Sequence, residues 1–127
     1  MNTTETKYFT PKEAQKTLPL VKQIVRDILD VSDKMRNSFL MGGENTDDNP
    51  ELRENLEKIT GFIHELEEIG CYYKDWNFTT GLVDFPSIID GKEVMLCWRS
   101  DEPYILFYHG INEGYDGRKR IPDLLLI

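Results

Sequence analysis

Apolar residues in the first half of the chain recur at steps of three and four residues, which is the spacing of one face of an α-helix. The first stripe, which Ser32 interrupts, comprises Ala14, Leu18, Val21, Val25, Ile28, Met35 and Phe39. A second stripe comprises Leu52, Leu56, Ile59, Ile63 and Leu66. Two long amphipathic helices joined by a short connection pack antiparallel and bury their stripes together. The pattern therefore predicts a helical hairpin over residues 10–70.

The start of the first helix has a local signature. Thr10 and Glu13 have the spacing of a capping box, with Pro11 at the first helical position. Pro19 lies inside the apolar stripe and lacks an amide hydrogen, so it predicts either a kink or a short first helix that ends before Leu20.

The second helix has the same kind of start. Asn49 followed by Pro50 predicts its beginning, and Gly70 is the expected stop. Between the helices, residues 41–49 are polar, acidic and contain glycine, which predicts a mobile connection.

The second half of the chain changes to short β-rich runs separated by turn residues. These runs predict strands near Tyr72–Asp75, Leu82–Ile89, Lys92–Arg99 and Tyr104–His109. Asp90-Gly91 is the sequence of a type I′ hairpin turn, which needs a positive φ at both central residues. The predicted fold is α+β, in which an N-terminal antiparallel helical hairpin packs on a C-terminal antiparallel β-meander of about four strands. We expect a single domain over residues 1–127, with its sheet half and tail in residues 71–127.

The turns also predict which residues face each other. The Asp90-Gly91 turn places Phe85 opposite Leu96, and the next turn places Leu96 opposite Phe107. Because side chains alternate along a strand, one face then carries Val83, Phe85, Val94, Leu96, Trp98, Ile105 and Phe107, with Ser87 and His109 at its rim. The opposite face, called the mixed face, carries Leu82, Asp84, Pro86, Met95, Cys97, Arg99, Tyr104, Leu106 and Tyr108.

The composition of the mixed face is unusual for a sheet surface in contact with water, which is normally rich in Thr, Lys, Glu and Ser. Tyrosine, methionine and arginine are enriched where proteins meet other proteins. Three explanations stay open: the Tyr72–Tyr73 segment or the tail of residues 124–127 covers this face, the face is a homodimer interface, or it lines a small-molecule pocket.

The first candidate ligand- or partner-binding set lies on the mixed face and consists of Asp84, Cys97, Arg99, Tyr104 and Tyr108. Asp84 and Arg99 are predicted diagonal neighbours within reach of a charge pair. Cys97 lies between them and is interpreted as a small buried hydrophobe rather than a nucleophile, since no histidine shares its predicted face.

The second candidate set is His109, Glu113 and Arg118, at the end of a strand and in the glycine-rich loop that follows. These residue types suit anion binding or proton transfer, and the alternative is that His109 caps the edge of the core. No catalytic residue is assigned. No metal or other cofactor is expected, because Asp84 and His109 fall on opposite predicted faces and the two Cys and two His are scattered along the chain.

Charge and composition exclude several classes. With 15 Lys+Arg against 23 Asp+Glu, the formal charge of −8 argues against a nucleic-acid partner, whose phosphates need clustered cations. No apolar run is long enough to span a membrane, and residues 1–10 lack a secretion signal. Cys71 and Cys97 are expected to be free thiols in a cytoplasmic protein. Nucleotide-binding loops, HExxH and GxSxG are absent from the sequence.

Several motifs together resemble one family. Gly81-Leu-Val-Asp-Phe-Pro86, Leu96-Cys-Trp98 and Glu113-Gly-Tyr-Asp-Gly-Arg118, with Gly70-Cys-Tyr-Tyr-Lys-Asp75, Glu102, His109 and the Phe9 to Pro19 start, are similar to the bacterial domain-of-unknown-function family 2203. The resemblance covers nearly the whole chain and implies a single-domain cytoplasmic bacterial protein, without an established reaction, cofactor or catalytic residue. Asp101 departs from the glycine expected before Glu102, so this turn is expected to differ in backbone conformation.

Two functional hypotheses follow, and they leave open whether the protein is an enzyme. The first is a non-enzymatic protein-interaction module, a homodimer or the partner of another protein, which uses the mixed face. The alternative is a small-ligand binder or enzyme that uses polar groups of the sheet half, which requires that one of the two candidate sets converges in a pocket.

Overall fold

Two helices precede a five-stranded sheet in the computed structural model, which describes residues 6–40 and 49–127, and the side chains of all of these except 39 and 40. The helices are α1 (Pro11–Leu40) and α2 (Pro50–Ile69). The strands are β1 (Tyr72–Tyr73), β2 (Leu82–Ile89), β3 (Lys92–Arg99), β4 (Phe107–Gly110) and β5 (Lys119–Arg120), and they form one antiparallel sheet in sequence order. The predicted α+β fold, with a helical hairpin and a β-meander, is confirmed, and β5 is an additional short strand.

The start of α1 has the predicted capping box. The Thr10 amide donates to Glu13 Oε1 at 2.9 Å, and the Glu13 amide donates to Thr10 Oγ1 at 3.1 Å. The helix continues through Pro19 to Leu40, so the alternative of a short first helix is wrong. Pro19 is exposed, whereas Leu18 and Val21 on either side of it are buried, and their burial offsets the loss of one backbone hydrogen bond.

The ends of α2 are also as predicted. Asn49 Oδ1 accepts from the Leu52 amide at 3.1 Å, and Gly70 ends the helix with φ 109°. The prediction that Leu56 belongs to the buried stripe of α2 is wrong, because this residue is 49% exposed and the adjacent Asn55 is buried instead. Apart from Asn49, the predicted mobile connection of residues 41–49 lies outside the described residues.

The helices cover one face of the sheet and form the core with it. Its members are apolar side chains of α1, α2 and the strands, among them Leu18, Val21, Val25, Ile28, Leu66, Val83, Phe85, Leu96 and Trp98. The chain before α1 also joins this layer, since the Phe9 amide donates to the Pro86 carbonyl at 2.7 Å and its ring packs edge-on against Phe85. Across residues 6–40 and 49–127, no helix has both the length and the apolar composition that crossing a membrane requires.

The β2–β3 hairpin has the predicted register. Ile89 pairs with Lys92 and Phe85 with Leu96. Asp90 and Gly91 have φ values of 53° and 76°, as the type I′ turn requires.

β1 is shorter than the predicted strand Tyr72–Asp75. The Asp75 carboxylate accepts from the backbone amides of Asn77, Thr79 and Thr80 at 2.8–3.2 Å. An aspartate that binds amides further along its own chain favours a turn over a strand, so the ladder stops before this residue.

The predicted register of β4 is wrong by one residue. Phe107 pairs with Cys97 and not with Leu96, and His109 pairs with Met95. The reason is a contact from α1: the Gln15 side chain donates to the Ile105 carbonyl at 2.5 Å and accepts from the Ile105 amide at 3.0 Å. This backbone is therefore bonded to the helix rather than to β3, and the strand begins at Phe107 instead of Tyr104.

A shift of one residue moves every side chain of a strand to the other face. Tyr108 consequently packs against the core, whereas Phe107 and His109 lie on the face away from the helices. This face, called the outer face below, carries Leu82, Asp84, Pro86, Met95, Cys97, Arg99, Phe107 and His109.

Candidate functional site

Asp84, Cys97 and His109 come together on the outer face, from the three adjacent strands β2, β3 and β4. Each residue is at most 5% exposed. A carboxylate oxygen, the thiol sulfur and an imidazole nitrogen of these side chains all lie within 4.8 Å of one another. The predictions that Asp84 and His109 lie on opposite faces, and that no histidine shares the face of Cys97, are therefore wrong, and the register of β4 is the reason.

The orientation of the His109 ring follows from its two contacts. Nδ1 lies 2.8 Å from the backbone carbonyl of Gly110, and a carbonyl can only accept, so Nδ1 carries a hydrogen. Nε2 lies 3.2 Å from both carboxylate oxygens of Asp84. Nε2 and Asp84 can therefore share one proton, either as imidazolium and carboxylate or as a neutral pair.

Burial controls the protonation of the other two groups. It raises the pKa of Asp84, and the neighbouring His109 charge offsets part of this rise. Burial also raises the pKa of Cys97 to about 12, with a further contribution from Asp84. The thiol is thus protonated at neutral pH, which is unlike the low-pKa cysteine of a nucleophilic site.

A second layer lies beside this cluster and is built around Arg118. Its guanidinium is 4.1 Å from the ring centroid of Phe107 and 4.6 Å from that of Tyr115, distances typical of cation–π contacts. Arg118 Nη2 donates to Glu102 Oε2 at 2.5 Å. The other carboxylate oxygen of Glu102 accepts from the Arg99 amide at 2.8 Å, which fixes the glutamate.

Of the first candidate set, only Asp84 and Cys97 are brought together. The predicted Asp84–Arg99 pair is wrong, because the Arg99 guanidinium binds both carboxylate oxygens of Asp101 at 2.6 and 2.7 Å and the Tyr115 hydroxyl at 2.6 Å. Tyr104 lies outside the strand and is 62% exposed, and Tyr108 packs against the core. Asp101 is not among the described non-glycine residues with a positive φ, and its side chain instead holds Arg99.

The second candidate set is also divided. His109 pairs with Asp84 and Arg118 with Glu102, so these two residues belong to the outer-face site. Glu113 Oε1 accepts from the Gly110 amide at 2.9 Å. A Cβ atom at Gly110 or Gly117 would lie 2.8 or 2.7 Å from the Glu113 carboxylate, so the two glycines allow the loop to close around this side chain. Glu113 is a structural residue of the loop.

Sequence reasoning missed three residues of the site. The predicted register places Phe107 on the core face, whereas the observed register places it on the outer face. Tyr115 and Glu102 carry no site signal of their own in the sequence, although both lie within the motifs that carry the family resemblance. Their proximity to Arg118 depends on how the loop after β4 folds back, which has no local signal in the sequence.

Comparison with known proteins gives one match. The family described as "Uncharacterized conserved protein (DUF2203)" matches residues 7–121 of the chain, a range that includes both helices and all five strands. No curated protein and no solved structure matches the chain.

Proposed function

The chain belongs to the DUF2203 family, and from the geometry of its outer face we propose that it binds a divalent transition metal ion, of the class of Zn²⁺, through Asp84, Cys97 and His109. The observation that carries the proposal is the convergence of three different donor atoms within 4.8 Å in a buried position. Buried ionisable groups are costly unless they pair or bind a metal, and here three of them share one small volume.

The distances suit a tetrahedral ion. With bonds of about 2.0–2.3 Å to oxygen, nitrogen and sulfur, neighbouring ligand atoms around Zn²⁺ are separated by about 3.3–3.8 Å. The 3.2 Å between His109 Nε2 and the Asp84 carboxylate is close to this range, and the sulfur would have to move by 1 Å or so. A thiol and an imidazole favour Zn²⁺ over Mg²⁺ or Ca²⁺, which prefer oxygen ligands alone.

The surroundings of His109 fit a ligand role. A metal-binding histidine usually donates its second ring N–H to a carbonyl or carboxylate, which orients the lone pair of the other nitrogen. The Nδ1–H of His109 donates to the Gly110 carbonyl in this way, leaving Nε2 for the ion. The metal would then replace the proton that Nε2 and Asp84 share.

Three protein ligands leave one position of a tetrahedral ion for an exchangeable molecule, as in catalytic zinc sites. This favours the small-ligand alternative over an interaction module as the role of the outer face. The ion would make that role metal-dependent.

Cobalt(II) titration of the chelator-treated protein tests the metal site. We expect one equivalent to bind and to produce the near-ultraviolet charge-transfer band of a cobalt–thiolate bond. C97S should abolish this band and weaken Zn²⁺ binding at least about 100-fold, because loss of even an outer-shell partner costs 10- to 100-fold. C71S is the matched control: Cys71 is also free and buried, with a pKa raised by burial to about 12, but its thiol contacts the Leu66 carbonyl.

The pH dependence has a defined sign. Because the Cys97 thiol is protonated at neutral pH, metal binding must release its proton in addition to the one that Nε2 and Asp84 share, so the affinity should rise by at least about tenfold for each pH unit. Absence of stoichiometric binding by the wild type, or a thiolate band that persists in C97S, would contradict the proposed site.

A role as an interaction module and homodimer is kept as a second proposal, on another surface. Ile88, Leu124 and Ile127 are each more than half exposed, and they line one groove beside the start of α1. Exposed apolar patches of this kind favour association. Light scattering should give twice the chain mass at micromolar concentration, and a mass of one chain would refute it. A cytoplasmic location is part of the same proposal and is supported by the two free thiols, and a bacterial source is proposed from the family resemblance alone.

A further inference from the structure

Arg118 is the most enclosed arginine of the outer-face site, and its bonding is incomplete. Its side chain is 10% exposed and is placed between the rings of Phe107 and Tyr115. Nη2 binds Glu102, whereas Nε is fully buried and has no hydrogen-bond partner among the described residues. A buried donor without a partner is energetically costly, so nearly all such groups in folded proteins are paired.

The position of Arg118 connects this donor to the metal site. The Phe107 ring that lies under the guanidinium belongs to the residue that pairs with Cys97 across β3 and β4. Arg118 therefore lies on the same face of the sheet as the three proposed ligands, next to β5, the strand that pairs with the strand of His109.

We propose that Arg118 forms a binding subsite for a small oxyanion, a carboxylate or a phosphate group, which accepts a hydrogen bond from Nε and occupies the open position of the metal ion. This inference rests on the proposed metal site and names the class of ligand that the site takes. Arginine suits the role because its planar fork donates several hydrogen bonds to carboxylate and phosphate oxygens at once.

Glu102 shows how an anionic group fits here. Its Oε2 accepts from Arg118 Nη2 at 2.5 Å, and its Oε1 accepts from the Arg99 amide at 2.8 Å. Nε and Nη2 are separate donors, so an anion can accept from Nε while Glu102 keeps its hydrogen bond to Nη2. The Tyr115 residue is 38% exposed and its hydroxyl accepts from Arg99 at 2.6 Å, so an anion reaches the guanidinium when this hydrogen bond opens and the ring moves aside.

The Nε–H signal of Arg118 in proton–nitrogen NMR spectra provides a direct test. In zinc-loaded protein, addition of acetate or of inorganic phosphate should shift this signal with a saturable, millimolar dependence, and the preferred anion distinguishes a carboxylate from a phosphate ligand. R118Q identifies the signal by its disappearance. Anion binding to the cobalt-loaded protein can also be monitored by the visible absorption of the bound ion. In this titration the anion affinity of R118Q should be at least tenfold weaker than that of the wild type.

R120Q is the matched control, because Arg120 lies two residues away, is half-exposed and pairs with Asp123. It should leave anion affinity unchanged. R118K keeps the positive charge but lacks the planar guanidinium, so it should bind the anion less tightly than the wild type. This variant replaces R118Q in the test if R118Q does not fold. The wild-type spectra alone can also overturn the proposal.

The outcomes separate the two proposals. If cobalt and zinc bind with the thiolate band but neither anion shifts the Nε–H signal, the anion subsite is wrong and the metal site stands. If neither cobalt nor zinc binds, but an anion shifts the Nε–H signal of the metal-free protein, the metal site is wrong and Arg118 is an independent anion site. If anions bind equally well to R118Q or R118K, Arg118 is not the donor.

Discussion

Replacement of Asp84 by alanine should lower the free energy of unfolding of the metal-free protein by about 3–5 kcal/mol, the usual cost of removing one member of a buried ion pair. Asp84 and His109 are each at most 5% exposed, and the carboxylate is the partner that His109 Nε2 has among the described residues. In D84A this nitrogen stays buried without a partner. Urea denaturation at pH 7 with a chelator present measures the effect.

A double-mutant cycle identifies the cause of this loss. If the cost of D84A is the unpaired imidazole, D84A/H109A should be more stable than the sum of the two single effects by 1 kcal/mol or more, on the scale of about 0.5–3 kcal/mol typical of residues in contact. D33A is the exposed control: the Asp33–Arg36 pair lies at the surface of α1 and should contribute less than about 1 kcal/mol. Additive effects in the cycle would show that the Asp84–His109 pair is not the stabilising contact.

Replacement of Gly81 by alanine should destabilise the protein by about 1–3 kcal/mol, the cost of an added methyl group in a packed core. Gly81 is buried at the entry to β2, and a Cβ atom there would lie 2.3 Å from Val25 Cγ1 on α1. Val25 is β-branched and lies in a helix, where its side chain has one strongly preferred χ1 rotamer, so it cannot easily rotate away from the added methyl group. Thermal or urea denaturation of G81A measures the loss.

A second site separates this steric effect from a general effect of glycine. Gly61 lies on the exposed side of α2, where an added Cβ meets no atom within 4 Å. G61A should therefore stabilise the protein by about 0.5–1 kcal/mol, because alanine favours the helix. V25A removes the clashing methyl group, so V25A/G81A should be less destabilised than the sum of the single variants. A G81A protein as stable as the wild type would refute the close approach of α1 to the sheet.

Local signals in the sequence were sufficient for the parts of the fold that depend on neighbouring residues. Thr10 and Glu13, Asn49, and Gly70 fix the ends of the helices through contacts with residues close in sequence. Asp90-Gly91 fixes the register of β2 and β3 for the same reason. In each case the residues that determine the structure lie within a few positions of the helix end or turn that they form.

The register of β4 could not be obtained in this way. It depends on Gln15, 90 residues earlier in the chain, which binds the backbone of Ile105 and delays the start of the strand. The predicted register differs from the observed one by a single residue, but this shift places His109 on the opposite face from Asp84 and Cys97 and so argues against a metal site. All three residues could be recognised individually, but their convergence required the helix-to-sheet contact.

The two outermost strands, β1 and β5, have a consequence for how copies of this protein can meet. Each is two residues long, and β5 consists of Lys119 and Arg120. Growth of a sheet by addition of another chain needs a long, uncharged edge with free backbone groups, and short or cationic edges protect against it. Edge-to-edge growth of this sheet is therefore disfavoured, and the dimer proposed at the groove beside α1 would have to form through side-chain contacts.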